Sequence, residues 1–184
     1  MKERPILFSA PMVQAILDGR KTMTRRVVKH MVGFGEPDAW CHRAGAPEFF
    51  EIVGDYRQYC PHGQPGDRLW VRETFAECPA DFKDTGGVIY RADGKYNEYV
   101  LPGEWRSSIF MPRKRSRITL EITAVRIERL QDITEPEATH EGIVKHIGIH
   151  CRDDFRLLWE SINEKRGYGW DSNPWVWVIE FKIL

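Results

Sequence analysis

The chain is poor in the features that would place it outside a reducing interior. It has only four cysteines in 184 residues, Cys41, Cys60, Cys78 and Cys151, too few and too unevenly spaced for a disulfide framework. No charged-then-apolar leader and no long apolar run stands in it, so no membrane anchor is expected and the cytoplasm is the expected location. Net charge is also missing: 27 Lys plus Arg balance 27 Asp plus Glu, so no global field draws the chain to nucleic acid, and such binding would have to come from local patches. Internal repeats, low-complexity tracts and an interdomain linker are absent too. The nearest approach to a metal pattern is Cys41-His42 with Cys60-Pro61-His62, and neither half has the two-residue gap of paired zinc ligands; buried or idle thiols are the default, and no metal or other cofactor is expected.

What is present is a hydrophobic fraction of 42% with seven tryptophans, enough for one aromatic-rich core. A single domain over 1–184 is expected, with insertions at about 29–65 and 76–115 that are rich in turn residues. Residues 3–8 predict a first strand. Met12, Val13, Ile16 and Leu17 predict a short helix with Ser9 as cap, Pro11 in its first turn and Gly19 as its stop. Phe49–Val53 and Val88–Arg91 read as short strands within the insertions. Arg68–Phe75 reads as one strand after the turn Pro65-Gly66-Asp67, and Ile118–Leu130 as a long one whose alternation slips near Thr123-Ala124, the mark of a bulge. Thr134-Glu135-Pro136-Glu137 is a capping box opening a helix that Gly142 ends, with Ile133 placed to staple onto Ala138. Phe155, Leu158, Trp159 and Ile162 predict an amphipathic helix over 152–163 that closes on the core and carries no chemistry. Trp175–Phe181 predicts a central strand. The sum is a mostly β, α+β fold: a small barrel with flanking short helices.

The densest chemistry lies in Gly19-Arg20-Lys21-Thr22-Met23-Thr24-Arg25-Arg26. In a regular strand Thr24 and Arg26 would share one face and Lys21 and Arg25 the other, so Lys21 reaches Thr24's surroundings only if it still belongs to the turn after Gly19. A lysine whose proton affinity is lowered by burial and by Arg20, Arg25 and Arg26 could activate the threonine hydroxyl; the other reading is a solvated basic strand edge. Glu141, in the last turn of its helix, and Glu73, on the same face as Leu69 and Val71, are the candidate carboxylates, the alternatives being an exposed glutamate and an ion pair to a nearby arginine. Arg113-Lys114-Arg115 is a second basic cluster, suited to phosphates or to a solvated turn. Trp40, Phe49, Phe50, Tyr56 and Tyr59 could stack on a base or pack against the barrel.

Gly19, Lys21, Thr24 and Arg26 match the G-x-K-x-T-x-R signature of the ASCH family position for position. With the Pro65-Gly66-Asp67-Arg68-Leu69-Trp70-Val71-Arg72-Glu73-Thr74 block and the tryptophan-rich end, the chain resembles the longer ASCH proteins of phages and prophages. That resemblance implies a PUA-like barrel with a cleft beside the signature, and RNA or a modified nucleoside or nucleotide as partner. One branch of the family consists of metal-independent amidohydrolases of acetylcytidine. Carried over, its catalytic set is Lys21, Thr24 and Glu141, with Glu141 favoured over Glu73 because Ile133-Thr134-Glu135 followed by Glu141 parallels the family's segment. Arg20, Arg25, Arg26, Glu73, Arg113, Lys114 and Arg115 are the candidate substrate contacts. A non-catalytic RNA or modified-base module and a ribonuclease are the alternatives that the same resemblance implies.

Overall fold

The computed structural model describes residues 1–29, 55–77, 87–95, 97–101, 103–145, 148 and 150–184. The strand expected at Phe49–Val53 and the residues Trp40, Cys41, His42, Phe49, Phe50 and Cys78 lie outside them. Strands β1 (Glu3–Leu7), β3 (Arg68–Arg72), β6 (Thr119–Arg129), β7 (Trp175–Ile183) and β2 (Met23–Val27) form one sheet in the order β1-β3-β6-β7-β2. Only β1 and β3 run parallel. Strands β4 (Phe75–Glu77) and β5 (Val88–Tyr90) pair separately. Helices α1 (Ala10–Leu17), α2 (Glu135–His140) and α3 (Cys151–Asn163) flank the sheet. The mostly β, α+β class is the expected one.

The five-stranded sheet is curled. Strands about 4.8 Å apart would put the two edges of a flat sheet of this size about 19 Å apart, too far for one side chain to bridge. Yet Arg26 of edge strand β2 donates from Nη2 to the Leu7 carbonyl at the end of edge strand β1, at 2.7 Å. The predicted bulge is the curling device: the β6/β7 register shifts between Ile122 and Ala124. Trp177, Ile179 and Phe181 on one face of β7 join Ile6, Leu69, Leu120 and Ile122 in the first core, and Val176 and Val178 on its other face join Phe155, Trp159 and Trp170 in the second. A strand buried on both faces reads as a continuous apolar run, which is why Trp175–Phe181 could be identified as central.

Local signals hold in most places. Pro11 sits in the first turn of α1 and Ser9 at its N-cap, although the serine side chain makes no capping hydrogen bond. The capping box of α2 is fully formed, and Ile133 and Ala138 are buried in the same cluster. The expected strand Arg68–Phe75 is in fact two: β3 ends at Arg72, and Phe75 begins β4. The break lets Glu73 leave the aliphatic row of Leu69 and Val71 for an arginine, which supplies the physical reason for the interruption.

Candidate functional site

Gly19, at φ +73°, turns the chain back under α1, and the amide N–H groups of Arg20 and Lys21 both donate to the Ala15 carbonyl at 2.9 Å. Lys21 therefore belongs to the turn and not to β2, as the chemistry requires. It forms an isolated antiparallel bridge with Glu141, and the Thr22 amide donates to the His140 carbonyl. Glu141 is the C-cap of α2 and Gly142 follows at φ +94°, so the helix end lies directly on the turn. Arg20 clamps this junction by donating to the Gly142 carbonyl at 3.1 Å, its other contact being Asp18.

Two remote segments thus meet in a dry spot, with Lys21 3% exposed and Glu141 4%. Lys21 Nζ donates to Glu141 Oε2 and to the Glu141 carbonyl, both at 2.7 Å, and lies 5.6 Å from the centre of the Phe8 ring. Burial lowers the proton affinity of Lys21; Glu141 opposes that, and Arg26 and Arg25 add to it. Glu141 Oε1 accepts from Arg25 Nη1 at 3.3 Å. Arg25 also meets Glu128 at 3.2 Å and Glu137 at 3.1 Å, with its side chain fully buried. Arg126 in turn pairs with Glu128, Glu137 and Glu180, so charges of alternating sign run from Lys21 across the sheet. Burying so many charges is tolerable only because nearly every one has a partner.

Beside this cluster opens a cleft of about 1020 Å³, lined among others by Lys21, Thr24, Arg25, Arg26 and Glu141. Strand β2 explains how both of its faces reach one cavity: among the described residues it pairs only with β7, and a strand at an edge presents side chains of either face to the space beside it. The ladder also fixes its peptide groups. Phe181 N–H donates to the Thr22 carbonyl at 2.8 Å and Val28 N–H to the Trp175 carbonyl at 2.9 Å. By antiparallel alternation, the N–H groups of Thr24 and Arg26 point at β7 and those of Met23, Arg25 and Val27 point away from it.

The structure therefore brings together Lys21, Thr24, Glu141, Arg25 and Arg26, and separates the other candidates. Arg20 serves the junction behind the cleft. Glu73 is 1% exposed and held by Arg117 through two bonds of 2.9 and 3.0 Å, so the ion-pair alternative describes it. Arg113, Lys114 and Arg115 form a single turn outside the cleft lining, where Arg113 pairs with Glu3 at 3.1 Å. Arg25, considered a substrate contact from sequence, has its guanidinium committed to three carboxylates. Among the described residues no cluster of His, Cys, Asp and Glu has the makings of a metal site.

Sequence reasoning missed the far wall. Phe155, Leu158, Trp159 and Ile162 of α3, to which no chemistry was assigned, line the cleft together with Tyr168. Their three- and four-residue spacing was the available signal, but it cannot tell a stripe that packs on a core from one that borders a cavity. Of the insertion aromatics within the described residues, Tyr56 stacks on Trp177 at 6.3 Å and Tyr59 lines the cleft. His62 lines it too, its imidazole pushed down to about 4 by burial and by Arg26 and Arg4.

No family model matches the chain, and no curated protein does. Among solved structures, the chain is similar to the crystal structure of an ASCH domain from Lactobacillus crispatus JV V101. The identity is 15% and the TM-score 0.46, over 99% of this chain and 79% of that one. Among the described residues, no helix is long and apolar enough to cross a membrane.

Proposed function

We propose that the cleft is the active site of a metal-independent amidohydrolase that removes the acetyl group from acetylcytidine, with Lys21, Thr24 and Glu141 as its catalytic residues. The observation that carries this reading is the convergence of a buried lysine, a buried threonine and a buried glutamate on one cavity. The match of Gly19, Lys21, Thr24 and Arg26 to the ASCH signature supplies the reaction class.

The chemistry needs a neutral lysine and a neutral carboxylic acid. A 2.7 Å contact between Lys21 Nζ and Glu141 Oε2 gives the proton a direct path from nitrogen to oxygen, and burial lowers the proton affinity of Lys21. Neutral Lys21 then takes the Thr24 hydroxyl proton as Oγ1 bonds to the acetyl carbonyl carbon. The oxyanion that results is stabilised by the Arg25 amide, next to Thr24 and turned away from β7, or by Arg26. As the carbon–nitrogen bond breaks, Glu141 gives its proton to the departing cytosine amine, leaving acetyl-Thr24. Water, losing a proton to Glu141, cleaves the ester; Lys21 returns the proton to Thr24 and acetic acid departs, giving up its proton to solvent. The pair ends as it began.

The test is release of acetate from acetylcytidine supplied as nucleoside, as nucleotide and within RNA, by wild type and by Lys21→Ala and Glu141→Ala. Turnover of none of the three would remove this reading. Salt-dependent RNA affinity without turnover would make the cleft a binding module, and strand cleavage a nuclease.

A further inference from the structure

The cleft is electrostatically lopsided. Its described lining includes five cations, Lys21, Arg25, Arg26, Lys29 and Arg166, against one carboxylate, Glu141, in a chain of zero net charge. Glu141 answers Lys21, and Glu128 and Glu137 answer Arg25 from outside the lining. The remaining three cations make no ion pair among the described residues. Arg26 spends Nη2 on the Leu7 carbonyl and lies over Phe8 at 5.3 Å, but its buried Nε has no hydrogen-bond partner.

These three cations line the same cleft as Thr24. Arg26 is two residues along β2, on the same face as Thr24. Lys29 is three residues further, about 10 Å of extended chain, which long side chains can close. Burial lowers the proton affinity of Arg26, and Arg166, from the turn after α3, lies near enough to add to that effect, which Glu141 opposes. Cations that line one cleft and have no ion-pair partner among the described residues focus a positive potential that an anion relieves, and a guanidinium N–H not bonded to protein is suited to phosphate oxygens.

We propose that Arg26, Lys29 and Arg166 form a phosphate subsite in this cleft, so that the substrate is a phosphorylated cytidine rather than the free nucleoside. The cytidine half of this statement rests on the amidohydrolase reading; the phosphate half stands on the cations. With the acetyl carbonyl over Thr24, the base lies along the wall of α3 and the sugar phosphate faces the three cations. The phosphate is that of a mononucleotide or a phosphodiester of a chain.

The experiment compares binding of cytidine and cytidine 5′-monophosphate to the full chain by calorimetry. Wild type should prefer the monophosphate by about 30-fold, the preference should fall below about 3-fold in Lys29→Ala/Arg166→Ala, and Lys29→Arg/Arg166→Lys should retain most of it. Both residues are exposed, so the variants should fold, which far-ultraviolet circular dichroism checks. Equal affinity for the two ligands, no binding of either, or a preference untouched by the double alanine variant would overturn the proposal. A short RNA with an internal cytidine, bound more or less tightly than the monophosphate, supports the subsite either way and identifies the donor of its phosphate. Acetylated forms of the same ligands test turnover separately: if none is deacetylated, the amidohydrolase reading fails while the affinity ratio still judges the subsite.

Discussion

Lys21 Nζ stands 2.7 Å from the carboxylate of Glu141 and 2.7 Å from the carbonyl of the same residue, so one side-chain nitrogen ties the end of α2 to the turn after α1. Removing the acid should harm the fold and the chemistry by different amounts. Glu141→Ala leaves Lys21 and Arg25 buried with less compensation, a loss of about 3–5 kcal/mol. Glu141→Gln keeps a carbonyl acceptor for Lys21 and should cost less, yet lower deacetylation by at least about 100-fold, since it cannot donate an acidic proton. Urea unfolding and acetate release on both variants separate the effects. A glutamine variant that retains wild-type turnover would remove Glu141 from the reaction.

The junction is also set by backbone. Gly19 and Gly142 both have positive φ, but a Cβ on Gly19 meets nothing within 4 Å, whereas one on Gly142 would come 2.9 Å from Ala15 Cβ and 3.2 Å from Lys21 Cβ. Gly19→Ala should thus cost about 1 kcal/mol, the conformational strain alone. Gly142→Ala should cost more than about 2 kcal/mol and push α2 off the lysine, so that activity falls beyond the loss of folded protein. Equal unfolding free energies for the two variants would contradict the close approach.

How much of this was legible follows from the range of each signal. The capping box, Gly19, Gly142 and the bulge of β6 are written in a few adjacent residues, and the structure has each of them. The contact of Lys21 with Glu141 spans 120 residues, and only the family signature pointed to it. The carboxylates that Arg25 meets were not legible, because alternation gives the face of a strand, not what packs there: Glu128, Glu137 and Glu141 all come from remote segments. Lys29 and Arg166 carried no motif at all, and become a pair of interest only once the curl of the sheet and the turn after α3 put them on one cavity.

Glu73 should behave as a structural acid. Burial raises its proton affinity and Arg117 opposes the rise. Glu73→Ala leaves Arg117, among the described residues, one carboxylate, Asp93 at 2.7 Å, and should destabilise the fold by about 3 kcal/mol. Turnover per folded molecule should be unchanged, because Glu73 lies outside the cleft lining. Specific activity measured against the folded fraction decides; a fall of tenfold or more would return Glu73 to the site.

His62 makes stability depend on pH in a stated window. Its folded-state pKa is pushed down to about 4 from an ordinary 6.5, by burial first and then by Arg26 and Arg4. Between those values the unfolded chain binds a proton that the folded chain does not, so stability rises with pH there and is lost as pH falls through 6.5 towards 4. From pH 7.5 to pH 5 the loss from this group is about 2 kcal/mol. His62→Gln keeps a polar group of similar reach and cannot take the proton, so it should flatten that part of the curve. Urea midpoints of both proteins at the two pH values check this. A histidine-dependent loss also has a direction for binding: an anion beside Arg26 offsets the cations that depress the imidazole, so saturating cytidine 5′-monophosphate should narrow the gap between the two proteins at pH 5. A gap of the same size with and without the nucleotide would mean that no phosphate sits near Arg26.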